Sequence, residues 1–216
     1  MTNINYEYIE GYIKSLNFEE DPKILSMRNY AKENSIPIIG TETEEFIKFL
    51  AYMKNSEKIL ELGTAIGYSS IILAKASKNL KKLKTIEINK EIVKIANKNI
   101  EDFKLSDKIK VINEDAYLYL QDEKEVFDLI FIDAAKGQYQ KYFDLAIRLL
   151  NSNGIIICDN VLFKGMIASD DLINKRAKTI VKRLRKFLLD IKSNNSFISS
   201  IVPIGDGILL VRRKND

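Results

Sequence analysis

The feature that most constrains this chain is an alternation that begins at Lys58 and runs almost to its end. Short apolar runs bounded by turn residues trade places with longer segments whose apolar residues recur at helical spacing. KILEL (58–62) reads as a strand and GYSSIILAKAS (67–77) as a helix. The pattern returns in LKTIEI (83–88) with KEIVKIANKNIEDF (90–103), and in KIKVIN (108–113) with AYLYLQ (116–121). It returns again in FDLIFID (127–133) with GQYQKYFDLAIRLL (137–150), and in GIIICDN (154–160) with a basic helix over 171–192. FISSIVPIGDGILLVRRK (197–214) reads as two strands joined across Gly205-Asp206-Gly207, a turn that favours an antiparallel hairpin. Five strand–helix units and a hairpin imply an α/β fold: a mostly parallel seven-stranded sheet with helices on both faces.

The first 55 residues read as a helical extension of one domain spanning 1–216. YIEGYIKSL has helical spacing. In PKILSMRNYAKEN, Asp21 is placed as an N-cap with Pro22 at the first helical position. Ile36 before Pro37 disfavours helix, and Thr41 is then expected to cap ETEEFIKFLAYM.

Composition removes much chemistry. The chain has no histidine, so a Ser-His-Asp triad, His-ligated zinc and an imidazole base are all excluded. Acid–base work falls to Lys, Asp, Glu or Tyr, and any metal must accept oxygen ligands. The single cysteine, Cys158, excludes an internal disulfide and suits a reducing cytosol. No apolar run is long enough to span a membrane, and the polar, acidic start MTNINYEYIEGYIK is not expected to be a secretory leader. A cytoplasmic location is the expectation. The net charge of +4 is unevenly spread: acids dominate residues 1–50, whereas 172–192 carries Lys175, Arg176, Lys178, Lys182, Arg183, Arg185, Lys186 and Lys192 against Asp190. Such a segment is either a polyanion-binding face or a solvated helix face.

In sheets of this kind ligands bind beyond the C-terminal ends of the strands. After the first strand, ELGTAIGYSS (61–70) has Gly63 and Gly67 around a tight turn into a helix. A dinucleotide fingerprint would have glycine where Ala65 stands, and Glu61 is a poor neighbour for pyrophosphate. That argues against a nicotinamide dehydrogenase and for a cationic ligand. Glu87, after the second strand, is spaced to bind ribose hydroxyls. Asp115-Ala116, after the third, stand where an adenine would lie, and Asp115 is also a helix N-cap candidate. S-adenosylmethionine (SAM) fits an adenosine-containing cofactor that is cationic. The fourth and fifth strands end in Asp133 and in Asp159-Asn160, two carboxylates and an amide that together suit Mg²⁺.

ELGTAIGYSS, TIEIN, IDAAKGQY, CDNVLFKG and PIGDG together resemble the metal-dependent class I O-methyltransferases, the group that includes catechol and caffeoyl-CoA O-methyltransferases. The resemblance covers roughly residues 30–213 and implies a Rossmann-like class I methyltransferase fold. The DAAKGQY form is most similar to the bacterial tRNA 5-hydroxyuridine methyltransferases, which make 5-methoxyuridine at the wobble position. By motif, the resemblance assigns Asp133, Asp159 and Asn160 to Mg²⁺ or another divalent cation. It gives Glu61, Gly63 and Ser69 to the methionine portion of SAM, Glu87 to ribose, Asp115 and Ala116 to adenine, Asp133 to the cofactor as well as to the cation, and Ile39 to the cover over the cofactor. Lys136 falls at the family's catalytic lysine, with Asp133 beside it. Many plant members read D-A-D-K where this chain has Ala135, which argues against plant phenylpropanoid substrates.

Methyl transfer from a sulfonium needs a nucleophilic oxygen, aligned in line. A divalent cation lowers the pKa of a bound hydroxyl, and Lys136 is placed to take its proton. The DAAKGQY resemblance implies a tRNA anticodon loop as partner, and the basic 172–192 segment, with Arg212, Arg213 and Lys214, supplies cations for its phosphates. The alternative is a small catechol-like phenol, with Phe163 and Tyr139 lining the mouth. A non-catalytic RNA-binding module is disfavoured by the intact Asp133, Asp159, Asn160 and Lys136 set. The first helices are expected to cover the site or to form a homodimer contact.

Overall fold

The computed structural model describes residues 4–18 and 21–214; Glu19 and Glu20 of the acidic N-terminal segment, and the first three residues of its start, lie outside these. Helix α1 spans Glu7–Ser15 and buries no residue. Helix α2 spans Pro22–Glu33, and the Asp21 side chain accepts from the Lys23 N–H at 3.0 Å as expected for its cap. It buries Ile24, Met27 and Ala31, the inward face of a 3.6-residue repeat. Helix α3 spans Thr41–Lys54. Thr41 is not its cap. The Gly40 carbonyl already accepts from Glu44 N–H at 2.9 Å, so the helix begins one residue sooner, Gly40 is the N-cap, and no side chain caps it.

Strands β1 (Lys58–Leu62), β2 (Lys82–Glu87), β3 (Ile109–Asn113), β4 (Phe127–Ile132) and β5 (Leu150–Cys158) pair in parallel. The hairpin strands β6 (Phe197–Val202) and β7 (Ile208–Arg213) add antiparallel against β5. The sheet order is β3-β2-β1-β4-β5-β7-β6. Successive strand residues face opposite sides. Ile59, Leu129, Phe131 and Ile157 join one core layer with α2, α3, α4 (Tyr68–Ala76) and α5 (Lys90–Asp102). Leu60, Ile130, Ile132 and Ile156 join the other, with α6 (Ala116–Asp122), α7 (Tyr139–Ala146) and α8 (Lys178–Ser193). Each fully buried Leu or Ile is worth about 2 kcal/mol of transfer free energy.

Two boundaries differ from the sequence reading. Leu150 does not end a helix; α7 stops at Ala146, a 3₁₀ turn covers Ile147–Leu149, and Leu150 opens β5. The register between β4 and β5 shifts between Phe127 and Leu129. Asp128 sits at that irregularity and satisfies the chain around it, accepting from Asn151 Nδ2 (2.6 Å), Glu57 N–H (2.9 Å) and Lys58 N–H (3.0 Å). The basic helix begins at Lys178 rather than 171, because Ile173 is extended and Asn174 Oδ1 accepts the Ala177 N–H at 2.9 Å. A side chain that binds nearby backbone in this way competes with helix.

Candidate active site

The C-terminal strand ends open into a crevice of about 720 Å³. Gly63, Ala65, Ser69, Glu87, Asp115 and Ala116 line one half; Asp133, Lys136, Asp159 and Asn160 line the other. Ile39, and Glu10 and Lys14 of α1, also line the crevice.

The first half is held by backbone. Gly63 has φ +102°, and a Cβ there would lie 2.0 Å from the Asp133 carbonyl oxygen, so only glycine lets the ends of β1 and β4 approach. Ala65 also adopts a left-handed backbone, at φ 44°. Its N–H donates to Glu87 Oε2 at 3.1 Å, while Glu87 Oε1 accepts from Asn89 N–H at 2.9 Å. The carboxylate expected at the ribose therefore also fixes the glycine loop. Asp115 lines the crevice, and its Oδ1 accepts from Tyr117 N–H (2.8 Å) and Leu118 N–H (3.1 Å), so it is the cap of α6 that its position predicts.

Glu61 does not line the crevice. It is fully buried in β1 behind the wall, where Oε2 accepts from Thr85 Oγ1 at 2.6 Å and from the Ser70 hydroxyl. Its Oε1 has no hydrogen-bond partner among the described residues, and burial pushes the carboxyl pKa up to about 7. A buried acceptor without a donor is costly, and a cationic ligand in the neighbouring crevice would relieve it.

The second half is electrostatically unsettled. Asp133 N–H donates to Leu62 O (2.9 Å) and Asp159 N–H to Ile132 O (3.0 Å), which continues the ladder and sets the two residues side by side. Burial raises the pKa of both, and the Asp133 carboxylate further disfavours ionisation of Asp159. Lys136 opens a 3₁₀ turn (Lys136–Gln138), with Nζ 3.9 Å from Asp133 Oδ1, and offsets part of this. Asn160 holds a left-handed backbone at φ 54°, and its N–H donates to Asp159 Oδ1 at 2.7 Å. Among the described residues no group of three or more His, Cys, Asp and Glu side chains forms a metal cluster. The donors here are two carboxylates and one amide, all oxygen, which fits a hard divalent cation completed by water and substrate.

The aromatic residues and the hairpin turn complete the picture. Tyr139 packs, as its helical spacing suggests, and does not line the mouth: it is 1% exposed, lies edge-on to Phe187, and its hydroxyl donates to Asp159 O at 2.8 Å. Tyr142, one helical turn on, lines the crevice instead. Phe163 packs partly buried against the core layer that includes α7 and α8. Asp206 was missed as a site residue, although it stands in the Gly-Asp-Gly turn. The topology explains its position. Cys158 at the end of β5 pairs with Leu209 near the start of antiparallel β7, so the β6–β7 turn returns to the crevice.

The basic segment divides in two. Arg185 pairs with Asp170 at 2.7 Å, Lys186 with Asp190 at 2.5 Å, and Arg183 donates to Gly137 O at 3.2 Å beside Lys136. Lys175, Arg176, Lys178 and Lys182 have no ion-pair partner among the described residues. No helix among the described residues is long and apolar enough to cross a membrane.

A glycine-turned crevice at the strand ends of a sheet with this order, closed by an antiparallel hairpin, defines a Rossmann-like methyltransferase. The O-methyltransferase family model matches residues 15–214, and the chain belongs to that family, as a SAM-dependent enzyme of the catechol and caffeoyl-CoA type. It is 30% identical over 210 residues to a catechol O-methyltransferase of Niastella koreensis, covering 94% of this chain and 93% of that protein. A putative caffeoyl-CoA O-methyltransferase from Staphylococcus aureus superposes with a TM-score of 0.84 at 30% identity, over 96% of this chain and 98% of that one. An O-methyltransferase from Bacillus cereus, solved in complex with SAH, gives a TM-score of 0.84 at 26% identity, over 99% and 100% of the two chains.

Proposed function

We propose that this chain transfers the methyl group of SAM to the hydroxyl of 5-hydroxyuridine in the tRNA anticodon loop, with Mg²⁺ or another divalent cation held by Asp133, Asp159 and Asn160. The observation that carries the cation-assisted part is the convergence of these three oxygen donors with Lys136 in one crevice. A bound cation lowers the pKa of a substrate hydroxyl and stabilises its oxyanion. The residues do the rest. Glu87, Asp115 and Ala116 hold the adenosine end, Gly63 and Ser69 the methionine end with Glu61 behind them, and Ile39 excludes water above. Lys136 takes the hydroxyl proton. The fixed relation between the two crevice halves supplies alignment for the in-line displacement.

The tRNA reading is supported by Lys175, Arg176, Lys178 and Lys182, which have no ion-pair partner among the described residues and lie just before and within the start of α8, where Arg183 reaches Gly137. Phosphate contacts of that kind make binding salt-sensitive. A second reading, a small catechol-like phenol, is favoured by the similarity to a catechol O-methyltransferase. Mass spectrometry of tRNA nucleosides from cells lacking the gene decides between them. Loss of 5-methoxyuridine with accumulation of 5-hydroxyuridine supports tRNA; unchanged nucleosides, with purified protein methylating free catechols, refutes it. A homodimer is part of the same proposal. Tyr8 and Tyr12 of α1, and Phe49, Tyr52 and Met53 of α3, are exposed apolar residues that a second copy would cover, and light scattering in solution tests this.

A further inference from the structure

The strap that follows β5 is strained. Asn160 (φ 54°), Phe163 (φ 47°) and Lys164 (φ 57°) all hold left-handed backbone that non-glycine residues rarely adopt. Such conformations persist only where the surroundings over-determine them. Here the surroundings are the Gly205-Asp206-Gly207 turn. Val161 N–H donates to Gly207 O and Leu162 N–H to Asp206 O, each at 2.9 Å, and Lys164 N–H donates to the Asp206 carboxylate. The turn is itself seated tightly. A Cβ on Gly207 would lie 2.2 Å from Leu162 Cγ, and one on Gly205 would lie 2.6 Å from Thr43 Oγ1 of α3. The glycines thus let the turn sit between the strap and the N-terminal end of α3.

Two of the three turn–strap bonds are backbone to backbone and would survive any side chain. The third depends on Asp206 alone, and it grips the most distal of the strained residues. We propose that Asp206 is a positioning residue for the cation site: its carboxylate holds the Lys164 N–H and thereby fixes the strained strap that carries Asn160 into the crevice. This rests on the reading of Asp133, Asp159 and Asn160 as cation ligands. Groups that orient ligands in this way typically change metal affinity by about 10–100-fold when removed.

The test is Mn²⁺ binding to the full chain, followed by the electron paramagnetic resonance of free Mn²⁺. Asp206→Ala should weaken Mn²⁺ binding at least about tenfold, in the range that loss of a ligand-orienting group gives. Asp206→Asn retains an oxygen acceptor for Lys164 N–H and should stay within about threefold of the unaltered protein, well short of that loss. SAM affinity measured without metal should be the same in all three proteins, since the cofactor half is untouched. If Asp206→Asn is as weak as Asp206→Ala, the charge rather than the held strap matters, and the proposal fails. It also fails if Asp206→Ala binds Mn²⁺ normally. Absence of Mn²⁺ binding by the unaltered protein overturns the cation reading itself and the proposal with it. Should Asp206→Ala not fold, amide hydrogen exchange on the unaltered protein decides: a protected Lys164 N–H is expected, and one that exchanges at the rate of a free peptide overturns the proposal.

Discussion

The two halves of the crevice are built from the same residue types and treat charge in opposite ways. On the cofactor side, Glu87 and Asp115 each accept from two backbone N–H groups and are settled before any ligand arrives. Across the crevice, Asp133 and Asp159 are buried beside one another, with one lysine 3.9 Å from Asp133 as partial relief. The carboxylates of the first half also hold the local backbone together. The second half keeps two buried acidic side chains side by side at a cost in stability, the arrangement that the proposed cation site requires.

Breaking this contrast should have graded effects. Asp133→Ala is expected to abolish cation-dependent methyl transfer altogether while leaving SAM binding measurable by calorimetry. Lys136→Ala should leave cation and cofactor bound and slow the transfer by about 10²–10⁴-fold, the usual worth of a positioned base, measured under single-turnover conditions. Glu61 gives a pH signature. Its pKa is raised to about 7 in the folded chain from an ordinary value of 4.5, so the folded state binds that proton more tightly. The stability this contributes is full below pH 4.5 and is lost as pH rises towards 7. Urea midpoints of the ligand-free protein should therefore fall across that window, and Glu61→Gln should flatten the fall. The smallest effect is expected at Asp115→Ala, which removes the α6 cap at a cost of about 1 kcal/mol and is read from the urea midpoint at fixed pH.

What was legible in the sequence was whatever depends on local pattern. The strands announce themselves because parallel strands covered on both faces are near-continuous apolar runs, and the acidic residues that end them follow directly. Asp133, Asp159, Asn160, Glu87 and Asp115 were placed in the crevice from that argument, and all five line it. Features set by distant contacts were not legible. Leu150 reads as the end of an amphipathic helix, but pairing with Phe127 draws it into β5. The helical spacing of Tyr139 points to packing, but not to the partners: α8 supplies Phe187 for its ring and β5 a carbonyl for its hydroxyl. Glu61 is close to the cofactor loop in sequence, yet strand alternation turns it behind the wall towards Thr85 and Ser70. Asp206 needs the antiparallel pairing of β5 with β7 to bring it back to the crevice.

The central claim is that the unsettled half of the crevice works by holding a divalent cation. It is tested most directly by methyl transfer from isotopically labelled SAM to 5-hydroxyuridine-containing tRNA and to a catechol, before and after chelation with EDTA. Transfer to one of these acceptors should be lost with EDTA and return when Mg²⁺ is added in excess. Transfer that continues at full rate in EDTA would contradict the account.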